Sequence, residues 1–174
     1  MDIVQLDEKG CLFISPDIDD WSLVEERDIC AIIDMDGDLD IGVPAVPNQY
    51  LYIYFPIDDV LSLPDLEKLH AVAKMGAMLV NSGLKVLSHC GMGHNRCALV
   101  AGLILRYLGM SGDEVLSLLR ERRQGALYNI SFSEYVRCVE VRPLQLELGA
   151  QPSDVDIPPH AIHNPQFAIP KENA

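Results

Sequence analysis

The chain has 174 residues, the length of one domain with a full core. With 49% hydrophobic and 22% charged residues it has ordinary globular composition, which excludes disorder over most of its length. A formal charge of −13 makes it a poor general binder of nucleic acid or anionic membrane, since its far field repels both.

The charge is uneven. Residues 1–65 hold 16 of the 26 acids and, among the bases, only Lys9 and Arg27, whereas residues 66–174 nearly balance, with 11 bases and 10 acids. An anionic substrate would therefore have to be held by a local pocket. The acidic half reads as solvated surface, with a basic protein partner as the alternative. No apolar run approaches the ~18 residues of a membrane span, and the acidic start lacks the basic region of a signal peptide. The five cysteines (11, 30, 90, 97 and 138) are odd in number and irregularly spaced, so the expectation is a soluble chain in a reducing, cytoplasmic compartment.

In chain order, Ile29-Cys30-Ala31-Ile32-Ile33 is a short apolar run with the pattern of a buried strand. Asp34 to Asp40 superficially resembles a calcium loop, but its glycine is misplaced and no glutamate closes it, so it is expected to be an acidic turn. Tyr50 to Phe55 predicts a second strand, stopped by Pro56. Ser62-Leu63-Pro64-Asp65 opens a helix, with Pro64 near its first position; Leu66, Leu69, His70, Ala73, Ala77 and Val80 follow at helical spacing until Gly83. His70 on that stripe is expected to be packed rather than to bind a metal. Lys85 to His89 is a third strand, and Cys97 to Leu108 is a helix apolar nearly all round, hence central and buried. Capping boxes at Ser111–Glu114 and Ser131–Glu134 open two further helices, the last ending near Gly149. Residues 1–150 are thus read as one domain. Residues 151–174, with five prolines, are read as an extended tail whose His160 and His163 lack the companions of a metal site. Strands alternating with helices predict an α/β fold with a mostly parallel central sheet, which seats its ligand beyond the carboxyl ends of the strands.

One strand end delivers Cys90 there. His89-Cys90-Gly91-Met92-Gly93-His94-Asn95-Arg96-Cys97 supplies a thiol, a loop with two glycines and an arginine at a helix start. Glycines let the backbone curl so that successive N–H groups point inward and form an anion nest at the positive end of a helix. The same field lowers a cysteine pKa, and a planar guanidinium clamps two phosphate oxygens. A thiolate aimed into such a cradle is equipped to attack phosphorus. The bland reading of a lone cysteine, a small buried hydrophobe, is weakened by the strand before the loop, the helix after it and the glycines within it.

This segment resembles the His-Cys-x5-Arg signature of the cysteine-dependent protein tyrosine phosphatase superfamily, and the rest of the chain looks most like its small dual-specificity class. The resemblance covers roughly residues 10–148 and implies the protein tyrosine phosphatase-like fold. It extends to Phe55-Pro56-Ile57-Asp58-Asp59, similar to the family's Pro-x-x-Asp stretch, which puts the general acid on Asp59 with Asp58 as the neighbouring alternative. Arg123 to Phe132 is similar to the family's arginine-to-Asn-x-x-Phe segment; Asn129 and Phe132 match, while Tyr128 replaces the usual proline. The implied activity is hydrolysis of a phosphomonoester through phosphocysteine, without metal or other cofactor. Cys90 is the nucleophile, and Arg96 with the amides of Gly91, Met92, Gly93, His94 and Asn95 binds phosphate. His89 orients the loop and tunes the thiolate, Asn129 plays a supporting part, and His94 is expected to face solvent. Cys97 is a departure: family members usually have Ser or Thr there, and a thiol is a weaker donor to the departing thiolate, which puts turnover in question.

No lysine lies in the loop and the chain is acidic, which favours a singly phosphorylated group, such as phosphotyrosine or phosphoserine on a protein, over a small polyphosphate. Inositol polyphosphate or phosphoinositide hydrolysis is the alternative within the enzyme class. A catalytically weak phosphate-binding module is the alternative outside it. A sulfurtransferase or arsenate reductase would use a similar cysteine loop without needing Asp59.

Overall fold

In the computed structural model, which describes residues 1–144, the sheet is built from the predicted β-branched runs and from two short strands that periodicity does not flag. The strands are β1 (Val4–Gln5), β2 (Leu12–Ser15), β3 (Ala31–Asp34), β4 (Leu51–Tyr54) and β5 (Val86–His89), in the spatial order β1-β2-β5-β3-β4. Only β1 runs antiparallel, against β2; the other pairings are parallel. The helices are α1 (Ser22–Glu25), α2 (Leu66–Asn81), α3 (Arg96–Tyr107), α4 (Gly112–Arg122) and α5 (Ile130–Cys138).

The three central strands are buried at every residue, because both faces are covered. Ile14, Ile33 and Val86 point to one side, into a core shared with Leu69, Ala73, Leu99, Leu103 and Phe132 of α2, α3 and α5. Phe13, Ile32 and Leu87 point to the other, against Ile3, Ile18, Val24 and Ile29. Helix α3 is buried at every position but its ends' Arg96 and Arg106, as its all-apolar sequence requires.

Three helix boundaries differ from expectation. Asp65, not Pro64, starts α2: its carboxylate accepts from Lys68 N, and Pro64 precedes the cap. Helix α4 has the expected capping box at Ser111 and Glu114. The cap of α5, however, is Asn129, whose Oδ1 accepts from Ser131 and Phe132 N–H, so Ser131 lies inside the helix. That helix stops at Cys138, not near Gly149; residues 139–144 form no regular element, and Leu144 N donates to Tyr107 O. Gly149 and the 151–174 segment, with His160 and His163, lie outside the described residues. His70 is packed as expected, its ring nitrogens 2.7 Å from Tyr107 Oη and 2.5 Å from Tyr135 Oη. Among the described residues no helix is long and apolar enough to cross a membrane.

The tightest fit between helices is at Gly112, the first residue of α4, where a Cβ would come within 2.1 Å of Arg137 O on α5. Backbone there cannot step aside. Gly112→Ala is expected to lower the free energy of unfolding in urea by about 1–3 kcal/mol, while Gly37→Ala, with open space around it, stays within about 0.5 kcal/mol of wild type. Equal stabilities would show that the α4–α5 contact yields easily.

Candidate active site

The carboxyl end of β5 and the amino end of α3 face each other across residues 90–95. Gly93 makes the turn possible: its φ is +68°, and a Cβ would sit 2.5 Å from Pro16 N and 2.7 Å from Ser15 C. Backbone bonds from Gly93 N to Cys90 O and from Cys90 N to Ser15 O fix the curl.

Cys90 is buried, 2% exposed, and its thiol pKa is pulled down to about 5. The first cause is a hydrogen bond from the Cys97 side chain; burial opposes the shift, and the Cys97 and Gly93 amides and the Arg96 charge add to it. Cys97 is fully buried, and its own thiol is pushed well up by burial and by the neighbouring thiolate. The residue that departs from the resembled pattern thus stays protonated and favours the thiolate of Cys90. Ser88 Oγ donates to Cys97 O at 3.0 Å and secures that turn.

Arg96 is held along one edge. Its Nη1 donates to Asp36 Oδ1 at 2.9 Å and to Met35 O at 3.0 Å. Its Nη2 hangs over Gly91, where a side chain would come within 3.2 Å. Asp36 is kept below the usual carboxylate range by hydrogen bonds from Gly37 N–H and Arg96 and by the Arg96 charge, against burial.

Asn95 caps α3 without a side-chain hydrogen bond to the helix, because its amide is engaged elsewhere. Its Nδ2 donates to Asp59 Oδ2 at 2.8 Å, and its Oδ1 accepts from Asn129 N at 2.9 Å. Asn129 Nδ2 donates to Asp59 Oδ1 at 2.8 Å and to Val60 O at 2.9 Å. Both oxygens of Asp59 are therefore fixed from the loop side. Asp58 is exposed and has no side-chain hydrogen bond or ion pair among the described residues. Asp59 and Arg96 line one cleft of about 620 Å³, together with Phe55, Pro56 and Ile57.

The remaining residues fall differently from expectation. His94 does not stand free in solvent: its ring lies 6.3 Å from that of Tyr128, its Nδ1 is buried beside Gly125, and its carbonyl accepts from Leu127 N. Leu127 adopts φ +56°, which a buried leucine tolerates only under constraint from its surroundings. Met92 is 70% exposed at the mouth, and its carbonyl accepts from Arg123. His89 makes no side-chain bond to the loop. Strand register sets it beside Asp34, and its Nε2 lies 3.0 Å from Asp40 and 3.7 Å from Asp34, off the line of a good hydrogen bond. Tyr52 Oη spans the same two carboxylates at 2.6 and 2.8 Å. Burial is the main cause that raises both the Asp34 pKa and the Tyr52 pKa. The 34–40 segment is therefore not all solvated surface: Asp34 is fully buried, Asp40 nearly so, and Asp36 touches Arg96. Asp34, Asp40 and His89 bring three potential metal-ligand atoms within 4.8 Å of one another, but the contact of each carboxylate with Tyr52 accounts for the group as a buried polar cluster.

No protein-family model matches the chain, and no curated protein matches it in sequence. Solved structures do. Human DUSP28 superposes with a TM-score of 0.65 at 17% identity, over 77% of this chain and 89% of that one. The human tyrosine phosphatase-like serine/threonine/tyrosine-interacting protein gives 0.64 at 18% identity, over 77% and 92%. PTPMT1 in complex with PI(5)P gives 0.60 at 14% identity, over 77% and 96%. The fold is that of the dual-specificity and tyrosine phosphatases. On that fold this chain carries Cys90 and its glycine-bearing loop between β5 and α3, with Arg96 the first residue of α3.

Because the Cys97 hydrogen bond is the largest influence on Cys90, Cys97→Ala removes a donor to the anion and must raise the Cys90 pKa. The pH profile of Cys90 alkylation by iodoacetamide is expected to have its midpoint near 5 in the wild type and to move upward in Cys97→Ala. An unmoved midpoint would show that Cys97 is packing alone.

Proposed function

We propose that the chain is a phosphomonoesterase that works through a phosphocysteine intermediate, with phosphorylated protein as its substrate. The observation that carries this reading is Cys90, a thiol ionised at neutral pH, buried at the amino end of α3 beside Arg96. Few structural roles call for a buried thiolate, whereas nucleophilic attack on phosphorus requires one.

In the first step Cys90 Sγ attacks phosphorus in line with the leaving oxygen. The Nη2 edge of Arg96 and the amides of the 91–96 loop other than that of Gly93, which is bound to Cys90 O, take the equatorial oxygens, and the open helix end adds its field. These fixed donors neutralise the phosphoryl charge, so the scheme needs no metal. Asp59, oriented by Asn95 and Asn129, gives its proton to the leaving oxygen. In the second step Asp59 takes a proton from water, which attacks phosphorus; phosphate leaves and the Cys90 thiolate departs onto the Cys97 hydrogen bond. A sulfurtransferase would have no use for a carboxylate held on both oxygens above the loop. Against the weak-binding alternative stands the protonated Cys97 thiol, which favours the Cys90 thiolate where the resembled family has a hydroxyl.

The wild type is expected to hydrolyse p-nitrophenyl phosphate in the absence of added metal. Cys90→Ser should abolish hydrolysis while keeping phosphate affinity; Arg96→Ala should weaken phosphate binding by about 10- to 100-fold, the loss of a charge-assisted contact. No release of phosphate by the wild type would leave a binding module. Retained activity in Cys90→Ser would remove the nucleophile assignment.

Asp59→Asn should slow hydrolysis of phosphotyrosine by about 10²–10⁴-fold, but that of an activated aryl phosphate far less, because a good leaving group needs little protonation. Asp58→Asn should leave both nearly unchanged. A leaving-group series in which the two variants exchange behaviour would move the acid to Asp58.

A further inference from the structure

The cleft that Asp59 lines meets the phosphate cradle at Arg96 alone; the rest of its lining is residues 55–60 and 62–65, Lys68 and Gly37. Both cations that border it are already neutralised: Arg96 by Asp36 at 2.9 Å, and Lys68 by Asp65 at 3.2 Å. Asp58 projects from the wall without a partner among the described residues, and Asp38 is exposed beside Gly37. Beyond the cradle the cleft is thus anionic, in the half of the chain that carries nearly all its excess negative charge.

Exposed apolar side chains flank the residues that hold Asp59: Met92 within the loop, Leu61 two residues after Asp59, and Tyr128 and Ile130 on either side of Asn129 are each 63–70% exposed. Large apolar side chains grouped at the mouth of a site mark a surface that is covered in use. The hydrogen bond from Asn129 to Val60 O ties the Leu61 and Ile130 segments together, so these two stand on the same frame that orients Asp59.

We propose that the substrate is a phosphorylated segment of a protein with lysine or arginine within a few residues of the phosphorylated side chain and apolar residues on its other flank. The inference rests on the phosphatase reading of the same site and narrows it. One phosphate fits the cradle; a second phosphate, as on an inositol ring, would meet Asp58 and Asp59 with no free cation to receive it. A basic flank is attracted by that wall, and an apolar flank covers Met92, Leu61 and Tyr128. A basic partner for the acidic half, the lesser expectation from composition, is therefore favoured at this one place.

The test uses two phosphotyrosine peptides, alike in their apolar flank, with lysine in one and glutamate in the other at the neighbouring positions. An inositol bisphosphate serves as third substrate. For the wild type, kcat/KM should favour the lysine peptide by about 2- to 30-fold, the effect of two exposed ion pairs, and the preference should shrink as salt rises. Asp38→Lys should reduce the preference, and Leu61→Ser should weaken both peptides, each without loss of p-nitrophenyl phosphate hydrolysis. Equal rates for the two peptides, or a preference for the glutamate peptide or the inositol bisphosphate, would overturn the proposal. Affinity of Cys90→Ser for the same three ligands separates the two claims. If the wild type hydrolyses nothing, the phosphatase reading falls, yet the lysine peptide must still bind tightest; equal binding would overturn the docking inference on its own.

Discussion

A negative charge kept on a buried sulfur is the constraint around which this molecule is arranged. Burial alone would hold the Cys90 thiol neutral, so the surroundings must return more than the lost hydration. They do so with short-range donors: the Cys97 thiol, the Cys97 and Gly93 amides, and the Arg96 guanidinium. A donor set of this kind works only if the amino end of α3 is left open toward the loop. Asn95 leaves it open by turning its amide away from the helix and onto Asp59 and Asn129. The side chain that could have capped the helix instead joins the Cys90 loop to Asp59.

Two further ties keep the charges in place. Asp36 and Met35 O hold one edge of Arg96, which leaves the other edge above Gly91 for an anion. Behind the loop, the register of β3 against β5 sets Asp34 beside His89, and Tyr52 on the neighbouring strand β4 closes over Asp34 and Asp40. The segment from 34 to 40 is thereby pinned at both ends, with Asp36 between them. The buried polar cluster under His89 and the grip on Arg96 are parts of one short stretch of backbone.

Much of this was legible in the sequence because it is local. The runs at 31–34, 51–54 and 86–89, the buried helix at 96–107 and the Ser111 box follow from patterns a few residues long, and so does the joining of Cys90, the glycines and Arg96 in one loop. What was not legible depends on contacts distant in sequence. The β1–β2 hairpin is too short to show a period, and Leu12 to Ser15 is recognisable as a strand only beside β5. Asp34 to Asp40 reads as a polar turn until His89 and Arg96 arrive from some fifty to sixty residues away. Asn95 and Asn129 are ordinary amides in sequence, and only the fold makes them the frame of Asp59. The start of α5 differs from expectation because Ser131 and Glu134 imitate a cap that Asn129 already provides.

The central claim is that Cys90 becomes covalently phosphorylated during turnover. It is tested most directly by acid-quenching the protein within its first turnovers of a phosphomonoester and mapping the modified peptide by mass spectrometry. The account predicts phosphate on the sulfur of Cys90, absent in Cys90→Ser and longer-lived in Asp59→Asn. Phosphate on another side chain, or turnover with no phosphorylated protein at any quench time, would contradict it.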